Sequence, residues 1–218
     1  MDATERAPLD PAVADGDLLR GTDDRLRCWW TAGDEVLERY HDLEWGKGPR
    51  DETGLFERLS LEAFQAGLSW RLVLQRREAL RSAFLAFDPP SVAGFSEQDV
   101  DRVLALPGVI RNRAKIAAIT HNARVLVGLH RAGTGLRSLT EEIVAAEPLG
   151  RVARPRRREE VPSSTPISVA LSRRLRSEGW RFVGPVTAYA YLQAAGWVDD
   201  HLVGCHALRS PSPTPPLR

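Results

Sequence analysis

Leu104-Ala105-Leu106-Pro107-Gly108-Val109-Ile110-Arg111-Asn112-Arg113-Ala114-Lys115 is the stretch whose reading decides the fold. Apolar residues close one helix, Pro107-Gly108 stops it, and a second helix starts almost at once with three basic residues. Helix, short glycine turn and basic helix start make a helix-hairpin-helix pattern over about residues 99–128. Free backbone N–H groups at such a turn bind a DNA phosphate as helix N-termini bind anions, without reading base sequence. On that reading Gly108, Val109, Ile110, Arg111, Arg113 and Lys115 face DNA. The plainer alternative is an αα-corner with a solvated basic face.

Helical spacing extends outward on both sides. Residues 52–66 carry Leu55, Phe56, Leu59 and Phe64 at that spacing, and residues 70–86 carry Leu72, Val73, Leu80 and Phe84. Asp88-Pro89-Pro90 breaks the pattern, and Ser96 with Asp99 resembles a capping box for a helix through Leu106. Further helices are predicted from about 111 to 129 and 138 to 146. Thr165-Pro166 opens another that ends near Gly179, and Gly184-Pro185 opens a last one ending near Gly196. No alternating strand pattern appears, so the fold class is all-α. Residues 1–25 lack periodicity and read as a flexible extension; the Pro-rich residues 209–218 read as a loose tail. One domain over residues 26–208 remains.

Composition narrows the function classes. The chain has 218 residues, 43% hydrophobic and 27% charged, which excludes wholesale disorder. Net charge is only +1, so attraction to nucleic acid must come from local patches. Lys47 and Lys115 are the only lysines; Arg supplies the other cations. No apolar run is long enough to span a membrane, and the N-terminus has no signal-peptide core, so a cytoplasmic protein is expected, nucleoid-associated when bound to DNA. No heptad or apolar stripe argues against a monomer.

Three clusters carry chemistry. Leu61 to Trp70 holds Glu62, Gln65 and Trp70 in an apolar helical run. A Glu there either reaches solvent or faces a pocket where something pairs with it. Trp29, Trp30, Tyr40, Trp45 and Trp70 are a large share of the aromatic residues, suited to a core or to a cage for a planar, cationic ligand. Cys28 and His41 lie at one end of the domain, His201 and Cys205 at the other. Two thiolates and two imidazoles are a normal tetrahedral zinc set, although four satisfied core residues would look the same. Such a site would be structural, and His206 competes with His201 as a ligand. The run Arg151, Arg154, Arg156, Arg157 and Arg158 reads first as a solvated loop.

Several blocks, taken together, resemble the DNA-3-methyladenine glycosylase I family. They are Arg27-Cys28-x-Trp30, Tyr40-His41-Asp42-x-Glu44-Trp45-Gly46, Leu61-Glu62 through Gly67-Leu68-Ser69-Trp70, Ile110 to Ile116, Pro162-Ser163-Ser164-Thr165-Pro166 and Asp200 to Cys205. The resemblance runs in order over about residues 26–206. It implies a helix-hairpin-helix glycosylase fold and one structural zinc held by Cys28, His41, His201 and Cys205. It also implies a base pocket of Glu62, Tyr40, Trp45, Trp70 and Trp30, with Ser164 joining the DNA contacts. Trp29 and Leu37 depart from the family pattern beside that pocket and bear on base specificity.

The activity so implied is hydrolysis of the N-glycosidic bond of 3-methyladenine in alkylated double-stranded DNA, leaving an abasic site. One absence fits it. The chain has no Asp between Asp101 and Asp199 to activate water downstream of the hairpin, and Lys115 is placed in the turn rather than as a lyase nucleophile. The rival readings are a non-catalytic, zinc-stabilised DNA-binding module and a glycosylase for another lesion.

Overall fold

The computed structural model describes residues 16–49, 51–146 and 154–208. Its organising element is α2, Glu52–Gln65, with Asp51 as N-cap accepting from the Gly54 N–H at 2.9 Å. Every residue from Leu55 to Phe64 is buried. A helix covered on all sides must lie in the middle of the molecule. It packs against α3 (Trp70–Ala83), α6 (Arg113–Arg131), α7 (Leu136–Ala146) and α9 (Pro185–Ala194). Phe56, Phe84, Phe87, Phe95 and Trp180 fill the space around it.

Local rules set the other boundaries. Ser96 and Asp99 form the reciprocal capping box of α5, Glu97–Ala105. Thr165 and Ser168 form a second box at the start of α8, Pro166–Ser177, and Gly184 precedes Pro185 at the first turn of α9. Pro89 and Pro90, read above as a break, instead open a short helix, α4 (Pro89–Ala93), with Asp88 capping Ser91 N–H at 3.0 Å. Proline fits a first helical turn, where its missing N–H has no partner to lose. Helix α1, Glu35–Leu43, is capped by Asp34 and was not separated from its aromatic surroundings in the sequence.

The described residues are mainly helical, with one addition. Leu18–Arg20 (β1) pairs antiparallel with Leu26–Cys28 (β2), Leu18 opposite Cys28. The expected flexible extension, residues 1–25, therefore includes a strand, while residues 1–15 and the tail 209–218 lie outside the described residues. Three-residue strands are too short to show alternation, so the pairing left no signal. The turn closes through Gly21 N–H to Arg25 O at 2.9 Å, and its Asp23 accepts from Arg27. No described helix is long and apolar enough to cross a membrane.

Lys115 is the clearest departure from expectation. It is buried, and its Nζ donates to Phe64 O at 2.8 Å and Ala66 O at 2.6 Å. Those carbonyls end α2, where the last turn of a helix leaves acceptors unsatisfied. Burial pushes its pKa down. The side chain expected at a phosphate instead ties the hairpin to α2. Replacing Lys115 with Ala should lower unfolding stability by about 2–4 kcal/mol in urea melts, through two lost charge-assisted hydrogen bonds. A loss below about 0.5 kcal/mol would mean that the ammonium does not hold α2.

Candidate base pocket and metal centre

A cavity of about 490 Å³ opens between α1, the α2–α3 junction, α9 and the segment Val161–Ser163. Trp29, Trp30, Tyr40, Trp45 and Trp70 line it, so the five aromatics singled out in the sequence converge on one space. Their rings meet mostly edge to face: Trp30 lies 5.1 Å from Trp45, and Tyr40 lies 5.2 Å from Trp70. That packing fixes each ring and leaves aromatic surface toward the cavity.

The polar groups in this wall are unusually short of partners. Glu62 is 6% exposed, lines the cavity, and makes no ion pair or hydrogen bond among the described residues. Burial pushes its carboxyl up to about 8, against the pull of the Arg58 charge. The Tyr40 hydroxyl and Trp70 Nε1 are also buried without a partner. Buried polar groups are ordinarily satisfied, and each exception needs a reason. Two such groups and an unpaired carboxyl in one cavity wall have a common reason if a polar, planar ligand completes them.

Beside the cavity lies the cysteine and histidine cluster. Ligand atoms of Cys28, His41 and Cys205 lie within 4.8 Å of one another, and Cys205 Sγ is 3.3 Å from His41 Nε2. His201 stands against His41 with ring centres 4.9 Å apart, and its Nε2 is buried without a partner. Both histidines are turned the same way. His41 Nδ1 is 2.8 Å from Asp42 and His201 Nδ1 is 2.8 Å from Asp199. Arg27 holds Asp42 and Arg154 holds Asp199. Burial opposes ionisation of Asp42, but Arg27 and the histidines outweigh it and hold the carboxyl well below its usual range. A carboxylate on one imidazole nitrogen leaves the other free to ligate, which is the arrangement metal sites use. The hydrogen bond between the two sulfurs pushes Cys28 up and Cys205 down. His206 is exposed and lies 2.8 Å from Asp42, in a second close group with His41; the close group of Cys28, His41 and Cys205 includes neither His206 nor His201.

Comparison with known proteins gives the family. The methyladenine glycosylase family model matches residues 29–208. The chain belongs to that family. DNA-3-methyladenine glycosylase 1 of Escherichia coli K12 is 42% identical over 179 residues, covering 82% of this chain and 95% of the relative. A crystal structure of 3-methyladenine DNA glycosylase I is 40% identical with a TM-score of 0.78, covering 83% of this chain and 98% of that one. A single-substitution variant of 3-methyladenine DNA glycosylase I, solved in complex with 3-methyladenine, is 32% identical with a TM-score of 0.75, covering 81% and 94%.

Within this methyladenine glycosylase the hairpin has its expected turn. Gly108 adopts a φ of +79°, and a Cβ there would meet Ala79 Cβ at 3.1 Å. The backbone N–H groups of Gly108, Val109, Ile110 and Arg111 make no hydrogen bond among the described residues. Arg111 is exposed, whereas Arg113 already pairs with Asp101 and Glu97 of α5. Ser164 is half-buried between cavity-lining Ser163 and the α8 N-cap. Arg154 turns inward to Asp199, and Arg151 lies outside the described residues.

Trp29 and Leu37, the departures from the family pattern, both line the cavity. Sequence reasoning did not single out Tyr189, Gln193 and Asp200 as lining. The Tyr189 hydroxyl and Gln193 Nε2 both donate to Asp200, which is 1% exposed. Asp200 opens the Asp200–Cys205 segment, yet nothing in its sequence neighbours marks a carboxylate folded back onto α9.

The Glu62 carboxyl also sets a pH dependence. Its folded pKa of about 8 lies above the unfolded 4.5, so the native state binds the extra proton. Its stabilising share is complete below 4.5 and is lost as pH rises through 8, by at most about 1.4 kcal/mol per pH unit. Glu62→Gln should flatten that slope in urea melts between pH 5 and 8, and equal slopes would show that Glu62 is not buried as described.

Proposed function

We propose that this methyladenine glycosylase removes 3-methyladenine from alkylated DNA by hydrolysing the N-glycosidic bond. The observation that carries the proposal is the tryptophan-lined cavity that holds the unpaired Glu62 carboxyl beside the orphaned Tyr40 hydroxyl and Trp70 Nε1. Methylation at N3 makes adenine cationic, so the base is already a good leaving group. The protein must then mainly extract the nucleotide and hold the base. Tryptophan and tyrosine faces attract a cation, and Glu62 accepts hydrogen bonds from the amino edge. As the glycosidic bond breaks, its electrons return to the base. A water oxygen bonds to C1′ and sheds a proton to solvent, leaving an abasic site. A neutral normal base gains neither the cation attraction nor the labile bond.

The DNA reading rests on the hairpin. Free N–H groups at Gly108, Val109, Ile110 and Arg111 suit a phosphate, with Arg111 beside them and Arg113 available by exchanging weak surface pairs. Ser164, next to cavity-lining Ser163, is the further candidate DNA contact. Lys115 contributes by holding the hairpin to the end of α2, not by touching DNA.

The metal reading is one structural zinc held by Cys28, His41, His201 and Cys205. The orphaned His201 Nε2, the paired thiols and the two aspartates fit that ion. Bound zinc would tie strand β2 and α1 to the C-terminal segment, fixing Trp30 and Trp45 at the cavity.

Incubation with methylated DNA should release free 3-methyladenine. Glu62→Gln and Trp70→Ala should each reduce release by about 10²-fold or more while retaining helical circular dichroism. Rapid release of uracil, 8-oxoguanine or hypoxanthine would overturn the proposed specificity. Elemental analysis should find about one zinc per chain, and chelation should lower the melting temperature; a metal-free protein of unchanged stability would refute the clasp.

A further inference from the structure

Arg58 raises a question that packing does not answer. It is 4% exposed, in a helix whose neighbours Leu55, Phe56, Leu59 and Leu61 are apolar and fully covered. Burying a guanidinium is costly unless its partners compensate. Its Nη2 donates to Glu44 at 2.8 Å, but Glu44 already accepts from Arg77 at 2.6 Å and does not need a second cation. Its Nη1 is buried with no partner among the described residues. An apolar side chain of similar length would pack as well and avoid that loss.

Position supplies an answer. Residues four apart share a helix face, so Arg58 lies one turn before Glu62 on α2. Its Cζ stands 5.3 Å from the centre of the Tyr40 ring, over the face. No ion pair joins it to Glu62, so its influence acts through space. We infer that Arg58 is a positioning residue for the base pocket: its buried charge behind Tyr40 favours the ionised Glu62 that a cationic base requires. The inference rests on the functional reading above and names a determinant of its specificity.

The surrounding charges bear this out. From α1, Glu44 and the Tyr40 hydroxyl face this region; from α3, Arg77 pairs with Glu44 and Glu57, and Arg71 is drawn away to Asp34. From the C-terminal segment, Asp200 lies in the cavity wall, engaged by Tyr189 and Gln193. Arg58 is the cation that pulls on Glu62. It sits behind a ring and shares Glu44, so it repels an incoming base less than a direct contact with carboxylate attracts it.

The test compares Arg58→Met, Arg58→Lys and Glu44→Gln with the parent chain. Two readouts are followed: the Glu62 carboxyl in ¹³C-glutamate-labelled protein, assigned with Glu62→Gln, and kcat/KM for 3-methyladenine release against pH. Arg58→Met should move the Glu62 titration and the acid limb of kcat/KM up by about one pH unit, a tenfold loss of rate at pH 7 that recovers at higher pH. Arg58→Lys should restore most of it. Glu44→Gln, which strips the cation of a counter-charge, should move both readouts down. A purely structural Arg58 would lower the rate equally at all pH values and leave the titration in place, which would overturn the inference. If Arg58→Met does not fold, an unmoved or upward shift in Glu44→Gln overturns it. A parent chain that releases no 3-methyladenine would remove the functional reading, while the Glu62 titrations would still test the charge relation.

Discussion

A carboxyl buried without a partner constrains everything around it. Glu62 lies in the middle of a helix that is covered on all sides, so the chain cannot turn it to solvent without breaking its core. The unmet interaction has to be balanced by rigidity elsewhere, since a mobile wall would collapse onto the carboxyl or admit water. Lys115 fixes the end of α2 from the hairpin side. The Glu57–Arg77–Glu44–Arg58 chain of charges fixes α2 against α1 and α3. The pocket is thus held open by bonds made just outside it.

The two ends of the domain meet by the same logic, repeated. On each side a histidine is oriented by an aspartate and the aspartate by an arginine: His41, Asp42 and Arg27 from the N-terminal half, His201, Asp199 and Arg154 from the C-terminal half. Gly46 accommodates this closeness, because a Cβ there would meet His201 Cε1 at 3.2 Å. Trp45 stacks on His41 and stands edge-on to His201, so the clasp and the aromatic wall are one packed unit. Loosening the clasp would therefore be felt in the pocket before it was felt in the central helices.

What was legible in the sequence followed from local rules. Capping pairs such as Ser96–Asp99, prolines at first turns and the Gly108 turn are set by residues a few positions apart, and helix spacing located α2, α3 and α6. Glu62 and the five aromatics were conspicuous because such residues are misplaced in an ordinary core. The misses were of another kind. The β1–β2 pair is too short for any period, and Pro89-Pro90 starts a helix as readily as it stops one. Lys115 looks like a phosphate ligand by its place in a basic helix start. Only the tertiary fold reveals carbonyl oxygens waiting 49 and 51 residues away. Arg154 misled in the same manner, its partner Asp199 being distant in the chain.

The charge arrangement also explains why the pocket needs no strong base. Burial pushes the Glu62 carboxyl up to about 8, and a carboxyl held protonated near neutrality would be a poor general base and a poor trap for neutral purines. A cationic base changes that balance, because its charge and the carboxylate stabilise each other in a cavity of low dielectric. On the proposed reading, ionising Glu62 on arrival of the cation would link recognition to the lesion's own chemistry: the charge that weakens the glycosidic bond would be the charge that completes the site. On the proposed reading, selectivity would arise from the state of one buried proton, and the protein's remaining task would be to keep its surroundings still.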